Sequence, residues 1–415
     1  MIEINPNQFK GTDSERIEQS IAAVKTRGGG KIVISRREDE DGRDFWLLDR
    51  AILLDSNMTL VIDNCTLKLS DNCRDNFIRS ANCGIGIRDV RKVHDIHVIG
   101  IGNALLQGAD KPRSTGDSAK LLGIPSYNHG APGGPRSYGT DAGKENERPK
   151  GDWRNIGILL AYLERFSVSH LTIRDSHAWA MSHEHCSNGF LSHLRFESTA
   201  KKLIDGRIEY FLNQDGIDLR QGCHDIIIEN ITGHTGDDLI ALTTIGDGKT
   251  SAGEISSTMV AGTLPTDDDD ISHIIIRDVL GHSAGHCQTV RFLNSNGTKI
   301  HDIVLENLMD DSTSEEGSNV TVLIGDQNPA WGGVTPLGDT FGFILNNIHA
   351  HGNHCIKIAG SLSDSMISNV INHNPDAPPI SYESGMEYTR RLTLTNLHSI
   401  GCQDDAPSMN ATKSF

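Results

Sequence analysis

Between Asn213 and Leu242 the chain reads NQDGIDLRQGCHDIIIENITGHTGDDLIAL, with two acidic clusters, Asp215-Gly-Ile-Asp218 and Gly236-Asp237-Asp238, on either side of a β-type run, Ile226–Ile231. Carboxylates crowded in this way suit acid/base chemistry, because like charges raise the pKa of one member while another stays ionised. Cleavage of a glycosidic bond needs that division of labour: one protonated carboxyl assists the leaving oxygen, and an ionised one activates water or attacks directly. Asp215, Asp237 and Asp238 are the candidate acids. Adjacent strand residues point to opposite faces, so Asp237 and Asp238 share a groove only if Gly236 opens a turn or bulge. Asp218, three residues past Asp215, is expected to point elsewhere and cap a turn. Gly285-His286 follows the strand-like ISHIII and would bring an imidazole one or two rungs further along.

Such acids converge only if the elements carrying them stack in register. Segments such as VSHLTI, LSHLRF, HDIIIENI, ISHIII, IHDIVLENL and LTLTNL recur at intervals of two to five dozen residues, each joining β-formers to an Asn, Asp or His turn. That pattern predicts a solenoid of β-coils. Asp215 and Asp237 lie 22 residues apart, so coils of roughly two dozen residues would put them at equivalent places on neighbouring rungs, about 4.8 Å apart. A hydrophobic content of 37%, only 5% aromatics and 42 glycines suit a thin interior of Ile, Leu and Val with many tight turns. Residues 12–30 are expected to form a helix, capped by Thr12 or Asp13 and ended by Gly28–Gly30, that plugs the first coil.

The expected organisation is one parallel β-helix domain over 1–415, with long insertions at about 104–153 and 243–269 and an irregular tail at 403–415. The first insertion carries Lys111, Arg113, Lys120, Arg136, Lys144, Arg148 and Lys150, a local positive charge on a molecule of net charge −17. That net charge argues against nucleic acid as a partner, and no apolar run is long enough to span a membrane. Eight scattered cysteines without CxxC spacing suggest buried thiols in a reducing compartment. His183 and His185 share a strand face, and Asp267–Asp270 form an acidic run, but neither has the spacing of a metal site, so no metal or cofactor is expected. The opening MIEINPNQF has no basic n-region or apolar h-region, so no signal peptide is visible; a cytoplasmic location is expected if Met1 is native, and secretion if a leader was removed.

These motifs resemble glycoside hydrolase family 28, the polygalacturonase-type right-handed parallel β-helix enzymes of the pectin lyase-like superfamily. TDSERIEQSIAAVKTRGGGKIVI is similar to the family's capping helix and first strand, SHAWAMSHEHCSN to its Ser-Pro-x-Trp coil and Cys-x-Asn turn, and NQDGID, GDD and GH to its three signatures in order. The resemblance implies that Asp237 is the general acid, that Asp215 and Asp238 together activate water with inversion, and that His286 tunes or orients the acid. It also implies that Asn213 and Gln214 border the catalytic subsite; His183 is expected as a further substrate contact. Three departures stand out. The family's Asn-Thr-Asp is Asn213-Gln214-Asp215, and its Gly-His-Gly is Gly285-His286-Cys287. The stretch NVTVLIGD at 319–326, where its carboxylate-binding Arg-x-Lys pair should fall, has no basic residue. Arg291 or Lys357 could substitute.

The function expected is hydrolysis of a pectin-type galacturonide or related oligosaccharide, with exo-action if the insertions close the groove into a pocket. A lyase or uronate epimerase would need a base beside bound Ca²⁺, and the coils at 213–242 offer only Arg220. The same acids could also serve an intramolecular glycosyl transferase, and the same coils a non-catalytic glycan-binding β-helix.

Overall fold

The computed structural model describes residues 2–38, 41–73, 75–84, 87, 90–111, 153–211, 213–246, 248–250, 253–255, 268–313 and 315–400. The fold is a parallel β-helix. Its described residues form two compact units, the first ending at Gln214 and the second beginning at Asp215.

The first unit opens with the helix Asp13–Lys25. Thr12 closes a capping box with Glu15: its hydroxyl accepts the Glu15 N–H, and the Glu15 carboxylate accepts the Thr12 N–H at 2.8 Å. The helix ends five residues before the glycines expected to stop it have run out, and Gly30 already begins the strand Gly30–Ile34. Its Asp13 carboxylate and Ser14 hydroxyl accept the N–H groups of Leu47 and Asp49, while Ile17 and Val24 are buried. One parallel sheet then runs through Gly30–Ile34, Met58–Asp63, Val93–Ile101, Leu163–Arg174 and Ser187–Glu197. A second runs through Ile52–Leu54, Ile78–Ser80, Ile158–Ala161 and Met181–Glu184. The first insertion starts later than expected, because Leu105–Gln107 is still a strand, paired with Thr66–Leu69 and Leu163–Arg174. Of its seven basic residues Lys111 is described, and it pairs with Asp205 at 2.6 Å; the other six lie outside the described residues, as does the tail at 403–415.

The second unit repeats the plan. Its long sheet runs through His224–Thr235, Ile271–Ser283, Ile300–Met309, Thr340–Ala350, Leu362–Asn372 and Thr389–Ser399. The facing row of strands is Ile217–Leu219, Ile240–Ile245, Gln288–Ser295, Val320–Ile324, His354–Ile358 and Ile380–Tyr382. The second insertion also starts later than expected: the strand continues to Ile245, and Gly248–Thr250 pairs antiparallel with Gly253–Ile255. Asp268 and Asp270 at its end serve as turn acceptors, for the N–H groups of Asp270 and Lys299 respectively; Asp267 lies outside the described residues.

The recurring Asn, Asp and His residues have a backbone reason. Ile228, Ile276, Leu305, Leu345 and Ile367 stack in register and are fully buried; each contributes roughly 1.5–3 kcal/mol of transfer free energy. Two positions further along, Asn230, Asp278, Asn307, Asn347 and Asn369 all adopt positive φ, between 54° and 57°. In that left-handed conformation the strand turns a corner, and short polar side chains tolerate it best. The side chains then bond along the row: Asn307 donates to Asp278 at 2.9 Å and Asn347 to Asn307 at 2.8 Å. Asn307→Val should therefore lose both its bonds and its corner geometry, lowering unfolding free energy by about 1–3 kcal/mol. Asn307→Gly should lose less. Denaturant unfolding of the two variants checks this, and equal losses would show that the left-handed conformation is not what the asparagine supplies.

Candidate active site

The acids of the second unit stand where its short strands begin. Ile217 pairs with Ile240, 23 residues on, and Leu219 with Leu242. The Gly216 N–H donates to the Asp238 carbonyl at 2.9 Å, and the Ile217 N–H to that of Leu239 at 3.0 Å. This register sets Asp215 opposite Asp238, not opposite Asp237 as a 22-residue spacing suggested. The chain bends at 236–237, the Thr235 hydroxyl donates to the Asp237 carbonyl at 2.7 Å, and the Asp237 carboxylate accepts the Asp238 N–H at 3.0 Å. The bend lets neighbouring carboxylates face one place: oxygens of Asp237 and Asp238 and the Cys287 sulfur lie within 4.8 Å of one another.

Asp218 belongs to this group. It is 1% exposed and occupies the outward row that continues, coil by coil, through Ala241, Arg291, Leu323 and Lys357. The expectation that it points away to cap a turn is corrected. Oδ1 of Asp215 and Oδ2 of Asp218 are buried and accept no hydrogen bond among the described residues. Burial, and then the charges of Asp237, Asp218 and Asp238, push Asp215 well above the usual carboxylate range. Asp218 is raised in the same way, against the pull of Arg220. Asp238 is raised to about 7 by burial and by Asp237, while Arg291 and the Gln288 N–H, which donates at 2.9 Å, hold it down. The group therefore keeps protons that isolated aspartates would have lost by neutral pH.

The other expected site residues divide. His286 is exposed, adopts φ 62° and donates Nδ1–H to the Gly317 carbonyl at 3.1 Å; no hydrogen bond to an acid is present among the described residues. Its neighbour Cys287 reaches the acids instead, a contact that sequence reasoning missed because the family pattern has glycine there. Burial and the Asp237 and Asp238 charges raise the thiol far above its ordinary value, so it stays neutral. A cation could be held between Cys287 and the two carboxylates; to bind one, the thiol would have to release the proton that burial and the neighbouring charges hold on it. Lys357 is half-buried in the outward row, two coils beyond Arg291. Arg291 itself lies against the acids: one Nη is 3.7 Å from Asp238 and the other donates to Asp326 at 2.9 Å.

Within the first unit, Gln214 is 4% exposed and both ends of its amide are committed to backbone. It accepts the Ala200 N–H at 2.9 Å and donates to the Ser176 carbonyl at 2.5 Å. Its side chain thus fixes the chain locally, just before Asp215. His183 is fully buried and stacks on Phe166 at 5.3 Å, so it is not a surface contact for substrate. His185 stacks on Tyr162 at 4.6 Å. Asn213, half-buried with φ 56°, shapes the turn before Asp215.

Raised acids have a stability consequence. Their folded-state pKa exceeds the unfolded value of about 3.9, so the stability they contribute is complete below that value and is lost as pH rises through the folded value, about 7 for Asp238. Melting of the wild type between pH 4 and 8 should show this fall. Asp218→Asn should match the wild type at pH 4 and exceed its Tm at pH 8. Parallel curves for the two proteins would mean that Asp218 carries no repulsion.

Comparison with known proteins points to the same coils. A model of glycosyl hydrolases family 28 matches residues 133–262, a span that includes Asp215, Asp218, Asp237 and Asp238. No curated protein matches the chain. Among solved structures, a hyperthermoactive exopolygalacturonase from Thermotoga maritima is 15% identical, with 96% of this chain and 91% of that one covered and a TM-score of 0.56. A tailspike protein of E. coli bacteriophage HK620, solved with a pentasaccharide, is 14% identical, with 95% and 58% covered and a TM-score of 0.50. At these identities the structures show a shared fold. The family match, lying on the acidic coils, marks the chain as a glycoside hydrolase with a carbohydrate substrate.

Proposed function

We propose that this glycoside hydrolase cleaves a pectin-type galacturonide, or a related oligosaccharide, with inversion at the anomeric carbon. The observation that carries the reading is the set of clustered carboxyls, buried Asp215 in register with buried Asp238 and half-buried Asp237 beside it, in one outward-facing row of coils. Asp237 gives its proton to the glycosidic oxygen as that bond breaks. Asp238 takes a proton from the water that attacks the opposite face of the sugar, and Asp215, opposite it on the preceding coil, orients that water. A carboxyl held near 7 is well matched to act as a base at neutral pH. The half-buried Cys287 supplies a neutral thiol that limits water around Asp237.

A galacturonide brings a carboxylate of its own. Lys357 makes no ion pair among the described residues and sits in the same outward row as Arg291, so it is the cation proposed to meet that carboxylate. Exo-action rests on the two long connections, most of which lie outside the described residues. A rapid fall in the viscosity of polygalacturonan would overturn it.

The test is product analysis on a panel of pectic and neutral plant oligosaccharides, with the anomer of the first product read by NMR. Wild type should release a sugar of inverted configuration. Asp237→Asn should lose about 10²–10⁴-fold in kcat. Lys357→Ala should raise KM for uronates about tenfold, equivalent to about 1.4 kcal/mol, and leave neutral substrates unaffected. An unsaturated product absorbing in the ultraviolet would indicate a lyase, and binding without turnover a glycan-binding protein; either result sinks the hydrolase mechanism.

A further inference from the structure

We propose that Asp326 is a positioning residue for the reaction: it anchors Arg291 against Asp238, so that the guanidinium serves the acids and is withheld from the sugar. The inference rests on the acid/base reading above. Arg291 lies in the strand Gln288–Ser295 between Val290 and Phe292, both fully buried, which turns its side chain outward on the side of Asp218. A long flexible cation in that row could reach into the groove or lie back on the acids. Two contacts decide for the acids: Nη2 donates to Asp326 Oδ2 at 2.9 Å, and Nη1 lies 3.7 Å from Asp238 Oδ2. The guanidinium carbon also sits 6.0 Å from the centre of the Trp331 ring, and Trp331 packs on Ile245 and Leu293.

Asp326 is itself fixed. Its other oxygen, Oδ1, accepts the Asn328 N–H at 2.8 Å, so the carboxylate cannot follow the guanidinium outward. The preceding residue, Gly325, has φ 75°, and a Cβ there would stand 2.3 Å from the Gly360 Cα. The turn that brings Asp326 back over Arg291 therefore depends on a residue without a side chain.

The groups facing Asp238 show what the anchor controls. Asp215 and Asp218 face it from the preceding coil and Asp237 from its own. The Cys287 thiol and the Gln288 N–H face it from the following coil, with Arg291. The neighbouring carboxyls oppose a charge on Asp238, the thiol is neutral, and Arg291 is the cation that favours the charge. A guanidinium at 3.7 Å keeps part of Asp238 ionised, as a base requires; released into the groove, it would leave the carboxyls to hold their protons. Asp326 thus acts on the reaction without touching substrate.

The experiment is the pH dependence of kcat/KM for the full chain, wild type against Asp326→Asn, Arg291→Lys and Arg291→Gln. In Asp326→Asn the acidic limb should move up by about one unit, costing about tenfold in kcat/KM below that limb, with KM nearly unchanged. Arg291→Gln should move the limb further, and Arg291→Lys should return it most of the way. A limb that stays put in both Asp326→Asn and Arg291→Gln overturns the proposal. So does a loss confined to KM, which would make Arg291 a substrate contact. If the wild type hydrolyses nothing, the functional reading fails by itself, and infrared titration of the buried carboxyls still decides this one: their apparent pKa should rise in Asp326→Asn, and an unchanged titration overturns it. Should Asp326→Asn not fold, the Arg291 pair gives the same two outcomes.

Discussion

In a parallel β-coil each side chain stacks on its counterpart one rung away, about 4.8 Å along, so like is set upon like. For Ile228, Ile276, Leu305, Leu345 and Ile367 the stacking gives a continuous apolar interior. For Asn307 and Asn347 it gives a bonded row of amides at the corner. For aspartates it is unfavourable, because buried like charges repel and neither is solvated. The site depends on that one unfavourable row. Asp215 over Asp238, with Asp218 and Asp237 alongside, is a concentration of negative charge that the fold tolerates only by retaining protons and by bringing in Arg220 and Arg291.

The same constraint connects stability with chemistry. A carboxyl that holds its proton at neutral pH weakens the fold when it ionises, yet the ability to exchange a proton near 7 is what catalysis asks of it. Arg291 moderates both. It is committed to Asp238 and Asp326, and in the next coil the same position of the row is Leu323, which packs with Val320 and Ala359. Lys357, one coil beyond Leu323, is the cation proposed to face the sugar.

Much of this was legible in the chain itself. The recurrence of β-formers with Asn, Asp or His announced the coils, because those residues tolerate the left-handed corners at low cost. Thr12 and Glu15 announced the helix through local bonds. The acids were recognisable as a crowd because a few residues separate the members of each cluster, and the Gly236 bend that lets Asp237 and Asp238 share a face is likewise local.

Register was not legible, since coils differ in length: Asp218 is 23 residues from its partner Ala241, and Ala241 is 50 from Arg291. Counting by two dozen aligned Asp215 with Asp237 when it stands opposite Asp238, and it turned Asp218 away when it belongs with the other acids. The long-range contacts were equally out of reach. Nothing near Arg291 in sequence says that Asp326 holds it, nothing in the Gly-His-Cys run says that the cysteine and not the histidine reaches the acids, and nothing at Gln214 says that its amide is already bonded to Ser176 and Ala200. Local propensity and charge spacing determined the coils and named the acids; which groups those acids meet was decided by the stacking of coils of unequal length, which only the folded chain fixes.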